Sequence, residues 1–354
     1  MHAVLDWLTT GFLPFVVLLG TLVLAHEFGH FVVAKWSGMR VKEFAIGFGP
    51  PIFRVVRGET GYSIRAVPLG GFVQIAGMDP NEDPNVPGGF NTKPIWARFL
   101  TLLSGCLMNL LLAVFVFCIV GMVFGVPRPV TRIAQVFSGS PAAASGLKVG
   151  DRILSVDGEP VDSVLEVRRI VERSAGRPLR MTLDRGGRTL SVTVVPRQIS
   201  SERVGRIGIV FDTEMVQIGP VGALRDGLVS TLAWTHQIAL GVVQLVTGRV
   251  PASEVGGPVA IARATAVQAD QGLDHFLRFG GIISVNLAVV NLIPFPGLDG
   301  ARLAFLLIEL VRGKRFDPKK EAYVHAVGIA ILFLLLIAIT GKDLTEWIQD
   351  LSSR

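Results

Sequence analysis

The chain has 354 residues, half of them hydrophobic and 18% charged, with a formal net charge of +6. A mean hydropathy of +0.53 excludes an ordinary soluble domain and marks a membrane protein. Its two cysteines, Cys106 and Cys118, lie in one apolar segment, about 18 Å apart if helical, so they cannot pair and no disulfide framework is implied.

In chain order, the first candidate span covers residues 8–36 and contains "LVLAHEFGHFVVAKW". It has no Lys or Arg before Lys35, and the charged HEFGH falls where a signal-peptide cleavage site would stand, so the segment is expected to be retained. Residues 41–78 carry Gly/Pro punctuation around "YSIRAV" and "FVQIA", a pattern of hairpins near the membrane rather than helices. A second span follows at 99–124.

Residues 127–213 change to short strands and turn signals. "SPAAASGLKVGDRILSVDGEPV" (140–161) is followed by the helix-period "DSVLEVRRIVERSAG", and then by "PLRMTLD", the turn "RGGR" and "TLSVTVVP", which predict a hairpin. This stretch resembles a PDZ domain of the bacterial protease-associated kind, on Ser140, Pro141, Gly146, Leu147, Gly150, Asp151, Ile153 and Gly158. The resemblance implies binding of extended peptides by strand addition. A terminal carboxylate would sit in the "GRIGIVF" loop, at Ile207 and Gly208.

Further apolar segments follow at 227–247, 276–310 and 322–340. The loop after the first span carries Arg40, Lys42, Arg54, Arg57, Arg65 and Lys93, and the loop near 312–320 carries Arg312, Lys314, Arg315, Lys319 and Lys320. The positive-inside rule makes both loops cytoplasmic and both termini external. The segment between the second and third spans is then external and holds zero or two further crossings, so 227–247 is expected to be an amphipathic or surface-lying helix. Four transmembrane helices result.

The two histidines and glutamate of HEFGH lie inside an apolar run, where ionisable groups are costly and mark function. His26 and His30, four apart, share one helix face about 6 Å apart along the axis, which suits two imidazole nitrogens on one Zn²⁺. Glu27 stands beside the first, placed to take a proton from water; H-E-x-x-H on a helix is a metalloprotease pattern for that reason. A catalytic zinc needs a third protein ligand. Asp299, in "NLAVVNLIPFPGLDGARLAFLL" (286–307), is flanked by apolar residues, and Pro294, Pro296, Gly297 and Gly300 break the helix around it. Such a break is tolerated at membrane depth only inside protein or a watery cavity. Both features lie about 21–22 Å from the outer surface if the flanking segments are helical. Cys106 is not expected to join the ligands, and Asn109 reads as an interhelical hydrogen-bonding residue.

HEFGH at 26–30, "NLIPFPGLDG" at 291–300 and the intervening PDZ-like stretch together resemble the site-2 protease family of intramembrane zinc metalloproteases, in particular its RseP-type (regulator of sigma-E protease) bacterial members. "IGFGPPIF" (46–53), "PLGGFVQIAGM" (68–78), "GGPVAIA" (256–262) and "KDLTEW" extend the resemblance over nearly the whole chain. It implies Zn²⁺ on His26, His30 and Asp299, with Glu27 as general base. Asn291 would hold substrate or the oxyanion, or else bond the opened backbone. Gly70 and Gly71 would lie in a reentrant β-hairpin whose edge strand receives the unwound substrate. The implied substrates are single-pass transmembrane proteins of the anti-sigma-factor type, trimmed first by an upstream site-1 protease, and remnant signal peptides. The chain departs from tandem-PDZ relatives in having room for one PDZ domain, and Cys106 stands in "SGCLMN" where many relatives have proline.

The expected fold is a polytopic α-helical membrane protein of four transmembrane helices, with a membrane-associated β-hairpin region and an inserted extracytoplasmic α+β PDZ domain. Residues 1–126 form the first half of the protease core and 127–213 the PDZ domain. An extracytoplasmic linker and surface helix occupy 214–275, and the second half of the core 276–354. The expected location is the cell inner membrane, with the PDZ domain periplasmic, the lipid bilayer as partner and no nucleic acid. A non-catalytic PDZ scaffold would be marked by loss of Glu27, which this chain keeps. A transporter would show paired repeats of broken helices, which the sequence lacks.

Overall fold

The computed structural model describes residues 11–79, 82–83, 85–198, 204–251 and 256–352. Residues 8–10 of the expected first span and both chain ends lie outside these. The chain divides into two compact units, residues 1–122 with 219–354, and residues 123–218.

The first unit opens with α1 (Leu13–Trp36), whose Pro14 sits in the first turn, where its missing N–H costs nothing. A run of Leu, Val and Phe without a breaker must satisfy its backbone internally in lipid, and the helix does so. After Gly38, β1 (Val41–Arg57) and β2 (Thr60–Ile75) form an irregular hairpin. Residues 43–46 pair with 71–74 on one side and with 61–64 on the other, while 54–57 return along 60–63. Its tip exposes Phe48, Ile52, Phe53, Val55, Val56 and Ile64. An apolar surface of that kind on a polypeptide tip suits contact with lipid. Then α2 (Ile95–Val123) crosses α1 closely: a Cβ at Gly29 would stand 2.9 Å from Met108 Cβ and 2.8 Å from the Ser104 carbonyl carbon.

The second unit holds an antiparallel sheet in the order β10-β3-β4-β6-β7, with β5 beside β4. Its strands are β3 (Val126–Val136), β4 (Arg152–Val156), β5 (Glu159–Pro160), β6 (Leu179–Arg185), β7 (Arg188–Val194) and β10 (Ile209–Val216); β8 (Arg197–Gln198) and β9 (Gly205–Arg206) pair separately. The β6–β7 turn places Gly186 and Gly187 at φ +60° and +83°, the two positive values that a tight two-residue hairpin turn requires. Two helices complete the unit: α3 (Pro141–Ala144), and α4 (Val164–Arg173), which starts at a capping box of Ser163 and Glu166. Val167 and Val171 of α4 pack on Ile153, Leu179, Met181 and Leu183, and each such buried aliphatic side chain contributes about 1.5–3 kcal/mol.

The chain then returns to the first unit through α5 (Pro220–Val246), α6 (Pro258–Gln271), α7 (Leu273–Asn291), α8 (Asp299–Arg312) and α9 (Pro318–Ser352). The segment expected as one span at 276–310 is thus two helices, α7 and α8, split at the Pro294–Pro296–Gly297 break. Five described helices are long and apolar enough to cross a bilayer: α1, α2, α5, α7 and α9. The addition to the four expected from sequence is α5, which buries only Ala223, Gly227 and Thr231. Gly227 sits where a Cβ would come within 2.7 Å of the Val114 carbonyl oxygen, so α5 is seated directly on α2. Phe117 against Gly281 and Asn109 against Ser284 make α7 antiparallel to α2.

Candidate metal centre

Three elements bring the ionisable groups together. His26 and His30 project from one face of α1, their rings edge-to-face with centroids 4.8 Å apart. Asp299 is the first residue of α8, where the chain has turned back after α7; Gly300 fits in that turn because a Cβ there would strike the carbonyls of Leu292 and Ile293. The turn is held from α9 as well, since the Gly297 N–H donates to His325 Nδ1 at 3.0 Å.

Asp299 Oδ2 lies 3.0 Å from His26 Nε2 and 3.2 Å from His30 Nε2, and the two Nε2 atoms are 3.2 Å apart. Both histidines are buried. Three lone-pair atoms at the corners of so small a triangle repel one another unless a cation or proton lies among them. A tetrahedral zinc with bonds of about 2.0–2.1 Å sets its ligand atoms about 3.3 Å apart, close to the triangle observed. The donor set, two imidazoles and one carboxylate, therefore fits zinc with a fourth position left for water or substrate.

The other expected residues take definite places. Glu27, next to His26 on α1, lies against β2, where a Cβ at Gly71 would be 3.5 Å from its Cγ. The 71–75 segment of β2 thus runs beside the carboxylate. Gly71 packs on the Ala45 carbonyl oxygen, 2.8 Å from where its Cβ would be, and Gly70 adopts φ +107° against the Phe48 ring. Asn291, the last residue of α7, lines a cleft of about 230 Å³ together with Val23, His26, Glu27, Leu287, Gly297, Leu298 and Asp299. Ile207 and Gly208 belong to the second unit. There the Ile207 carbonyl accepts from Ala142 N–H at 2.9 Å, the Gly208 carbonyl accepts from Phe137 N–H at 3.1 Å, and edge strand β10 begins at the next residue. Cys106 is buried on α2 and is not among the convergent ligand atoms.

Sequence reasoning passed over the support that α2 provides. His30 Nδ1 lies 2.7 Å from the Thr101 carbonyl oxygen, which can only accept, so this ring carries its proton there and turns the Nε2 lone pair to the centre. Gly105 lies so close that a Cβ would fall 2.7 Å from His30 Cε1 and 2.8 Å from His26 Cε1. Thr101, Gly105 and Asn109 recur every fourth residue and so form one stripe of α2; that spacing is the signal the sequence held.

Residues 14–335 match the family model described as peptidase family M50. The chain belongs to that family, the site-2 proteases. Zinc metalloprotease RasP of Geobacillus kaustophilus is similar at 33% identity, with 95% of this chain and 98% of that protein covered. Regulator of sigma-W protease RasP of Bacillus subtilis is similar at 30%, with 94% and 97% covered, and a putative zinc metalloprotease of Clostridium acetobutylicum at 34%, with 93% and 95% covered. This site-2 protease is a zinc metalloendopeptidase and an integral protein of the inner membrane.

Proposed function

We propose that the chain cuts single-pass membrane proteins within or beside their transmembrane segment, with His26, His30 and Asp299 as zinc ligands and Glu27 as general base. The observation that carries this reading is the convergence of three ligand atoms within 3.2 Å beside Glu27, between apolar helices and against the 71–75 segment. When bound, zinc supplies Lewis acidity toward water and the scissile carbonyl. Glu27 takes the proton of the attacking water as its oxygen bonds the carbonyl carbon, then delivers it to the departing amide nitrogen as the C–N bond breaks. Asn291, which lines the cleft, would donate to the carbonyl oxygen. A helical peptide bond is shielded from water, and pairing with residues 71–75 would hold the substrate extended.

The proposed substrates are anti-sigma-factor-type proteins already trimmed outside by a site-1 protease, and remnant signal peptides. The name of the Bacillus subtilis relative, a regulator of sigma-W protease, supports the first of these. Residues 127–213, as a PDZ domain, would screen them on the outer side, with Ile207 and Gly208 receiving a carboxylate.

The positions of the basic loops support an orientation with both termini outside. Because α2 and α7 are antiparallel, the chain leaves one and begins the other on the same side and makes an even number of crossings between them. With 14 residues, α6 reaches about 21 Å, short of the ~30 Å hydrocarbon core, so α5 is read as seated on the bundle without completing a crossing.

The test compares wild type with Glu27→Gln in detergent, measuring bound zinc and cleavage of a transmembrane peptide lacking its outer domain. The variant is expected to keep one zinc and to cut about 10²- to 10⁴-fold more slowly. Cleavage at the wild-type rate would refute Glu27 as the base, and a wild type that holds zinc but cuts none of several truncated substrates would favour a scaffold.

A further inference from the structure

Asn109 of α2 is completely buried in an otherwise apolar part of the helix. Its backbone carbonyl already accepts from Ser284 Oγ of α7 at 2.7 Å, so contact between the helices does not require the side chain. The amide group instead lies against the first zinc ligand. Asn109 Nδ2 is 3.4 Å from His26 Nδ1, while Asn109 Oδ1 has no hydrogen-bond partner.

The two nitrogens of His26 cannot both be acceptors. Its Nε2 faces His30 Nε2 and Asp299 Oδ2, the side from which a metal is bound. An imidazole that gives its Nε2 lone pair to a metal keeps its proton on Nδ1, so the group opposite Nδ1 must accept. An amide NH₂ in that place would set two donors against each other. A half-turn about the Cβ–Cγ bond exchanges two ends of nearly equal size and puts Oδ1 opposite the Nδ1–H, which gives this acceptor its donor. His30 provides the parallel within the same site, with Nδ1 at 2.7 Å from the Thr101 carbonyl, four residues before Gly105 and eight before Asn109.

We propose that Asn109 is a positioning residue for the metal. Its Oδ1 accepts from His26 Nδ1–H, holds that ring in the ligating tautomer and raises the basicity of Nε2, as the Thr101 carbonyl does for His30. One stripe of α2 thereby orients both imidazoles. This inference rests on the reading of His26, His30 and Asp299 as the zinc ligands.

The test is the zinc affinity of the full chain in detergent, measured by competition with a chelator, together with the visible absorption of the Co²⁺-substituted protein, which reports ligand geometry. Asn109→Leu keeps the size and removes the acceptor. Asn109→Asp keeps an acceptor and removes the donor. Asn109→Leu is expected to weaken zinc binding about 10- to 100-fold and to alter the Co²⁺ spectrum, the range seen for loss of such supporting hydrogen bonds. Asn109→Asp is expected to bind zinc at least as tightly as wild type, with the wild-type Co²⁺ bands. Wild-type affinity in Asn109→Leu overturns the proposal. So does loss in Asn109→Asp, because an amide that merely donated to its neighbour would be broken by that change; this variant decides the matter even if Asn109→Leu fails to fold. A wild-type chain that binds no zinc would overturn the metal-centre reading itself, an outcome distinct from either.

Discussion

Gly105 gives the sharpest test of how α2 serves the centre. A methyl group added there would stand 2.7 Å from His30 Cε1 and 2.8 Å from His26 Cε1, where ordinary contact begins at 3.4 Å. One ring or the helix must retreat by several tenths of an ångström, more than the ±0.2 Å tolerance of metal–ligand distances. Two effects of Gly105→Ala oppose each other. Alanine is the better helix former by about 0.8–1 kcal/mol, whereas overpacking of a tight site costs about 1–3 kcal/mol. In the metal-free chain the rings can turn aside and the helix gain remains, so its unfolding midpoint is expected to lie at or slightly above wild type. With zinc bound the ring positions are set, the overpacking cost prevails, and affinity is expected to fall roughly 5- to 150-fold. Chelator competition with purified protein reads the affinity, and thermal unfolding of the metal-free chain reads the helix. Wild-type zinc affinity would refute the reasoning, because it would mean that α2 does not press on the imidazoles.

Two further predictions concern regions away from the zinc. Burial alone would raise the Asp151 carboxyl, yet hydrogen bonds from Arg185 Nε and Nη2, at 2.6 and 2.7 Å, and from Lys148 N–H at 2.8 Å hold it below the ordinary carboxylate range. A group lowered by folding contributes stability that is complete above its unfolded value, about 3.9, and is lost as pH falls through the folded value. Hydrogen-exchange protection of β4 and β6 in the full chain, corrected for intrinsic rate, is therefore expected to decline below about pH 4, and the same decline in Asp151→Asn, which has no carboxyl to protonate, would contradict the assignment. In the first unit, Arg98 is 3% exposed and makes paired hydrogen bonds to Glu309 at 2.6 and 3.0 Å, joining α2 to α8. Glu309 also meets Arg315 Nε at 3.3 Å, so Arg98→Met leaves it one partner. That variant is expected to destabilise the chain by less than the ~3–5 kcal/mol of a buried charge left alone, and Arg98→Met with Glu309→Leu to recover part of that loss. Thermal unfolding in detergent checks both, and a double variant no more stable than the single would count against that account.

Much of this molecule is legible because its chemistry is local. HEFGH declares a metal-binding face through a spacing of four residues on a helix. Pro294, Pro296 and Gly297 declare the break that presents Asp299, because no tertiary contact is needed to forbid a helix there. The α4 capping box and the Gly186–Gly187 turn are read in the same way. The support given by α2 is less visible. Thr101 contributes a backbone carbonyl, which any residue type carries, and Gly105 acts through the absence of a side chain. Asn109 could be recognised as a polar group that needs a partner, but the partner, His26, is 83 positions away in sequence. The hairpin hides a similar relation, since alternation predicts strands but not that residues 43–46 lie between 61–64 and 71–74, or that Gly71 lies against Glu27.

Composition also cannot tell a helix that crosses a bilayer from an apolar helix seated on others. The 27 residues of α5 have the length and hydropathy of a span, yet Gly227 presses on the backbone of α2, and the antiparallel course of α2 and α7 constrains what α5 does. By itself, the sequence determined the membrane class, the proposed donor set of the centre and the helix break that carries Asp299, because these follow from hydropathy, periodicity and side-chain chemistry within a few residues. Only the tertiary structure decided which face of α2 meets the histidines, which strand runs beside Glu27 and how α5 is seated. Each of these depends on how closely two backbones approach, a distance set jointly by side chains far apart in the chain.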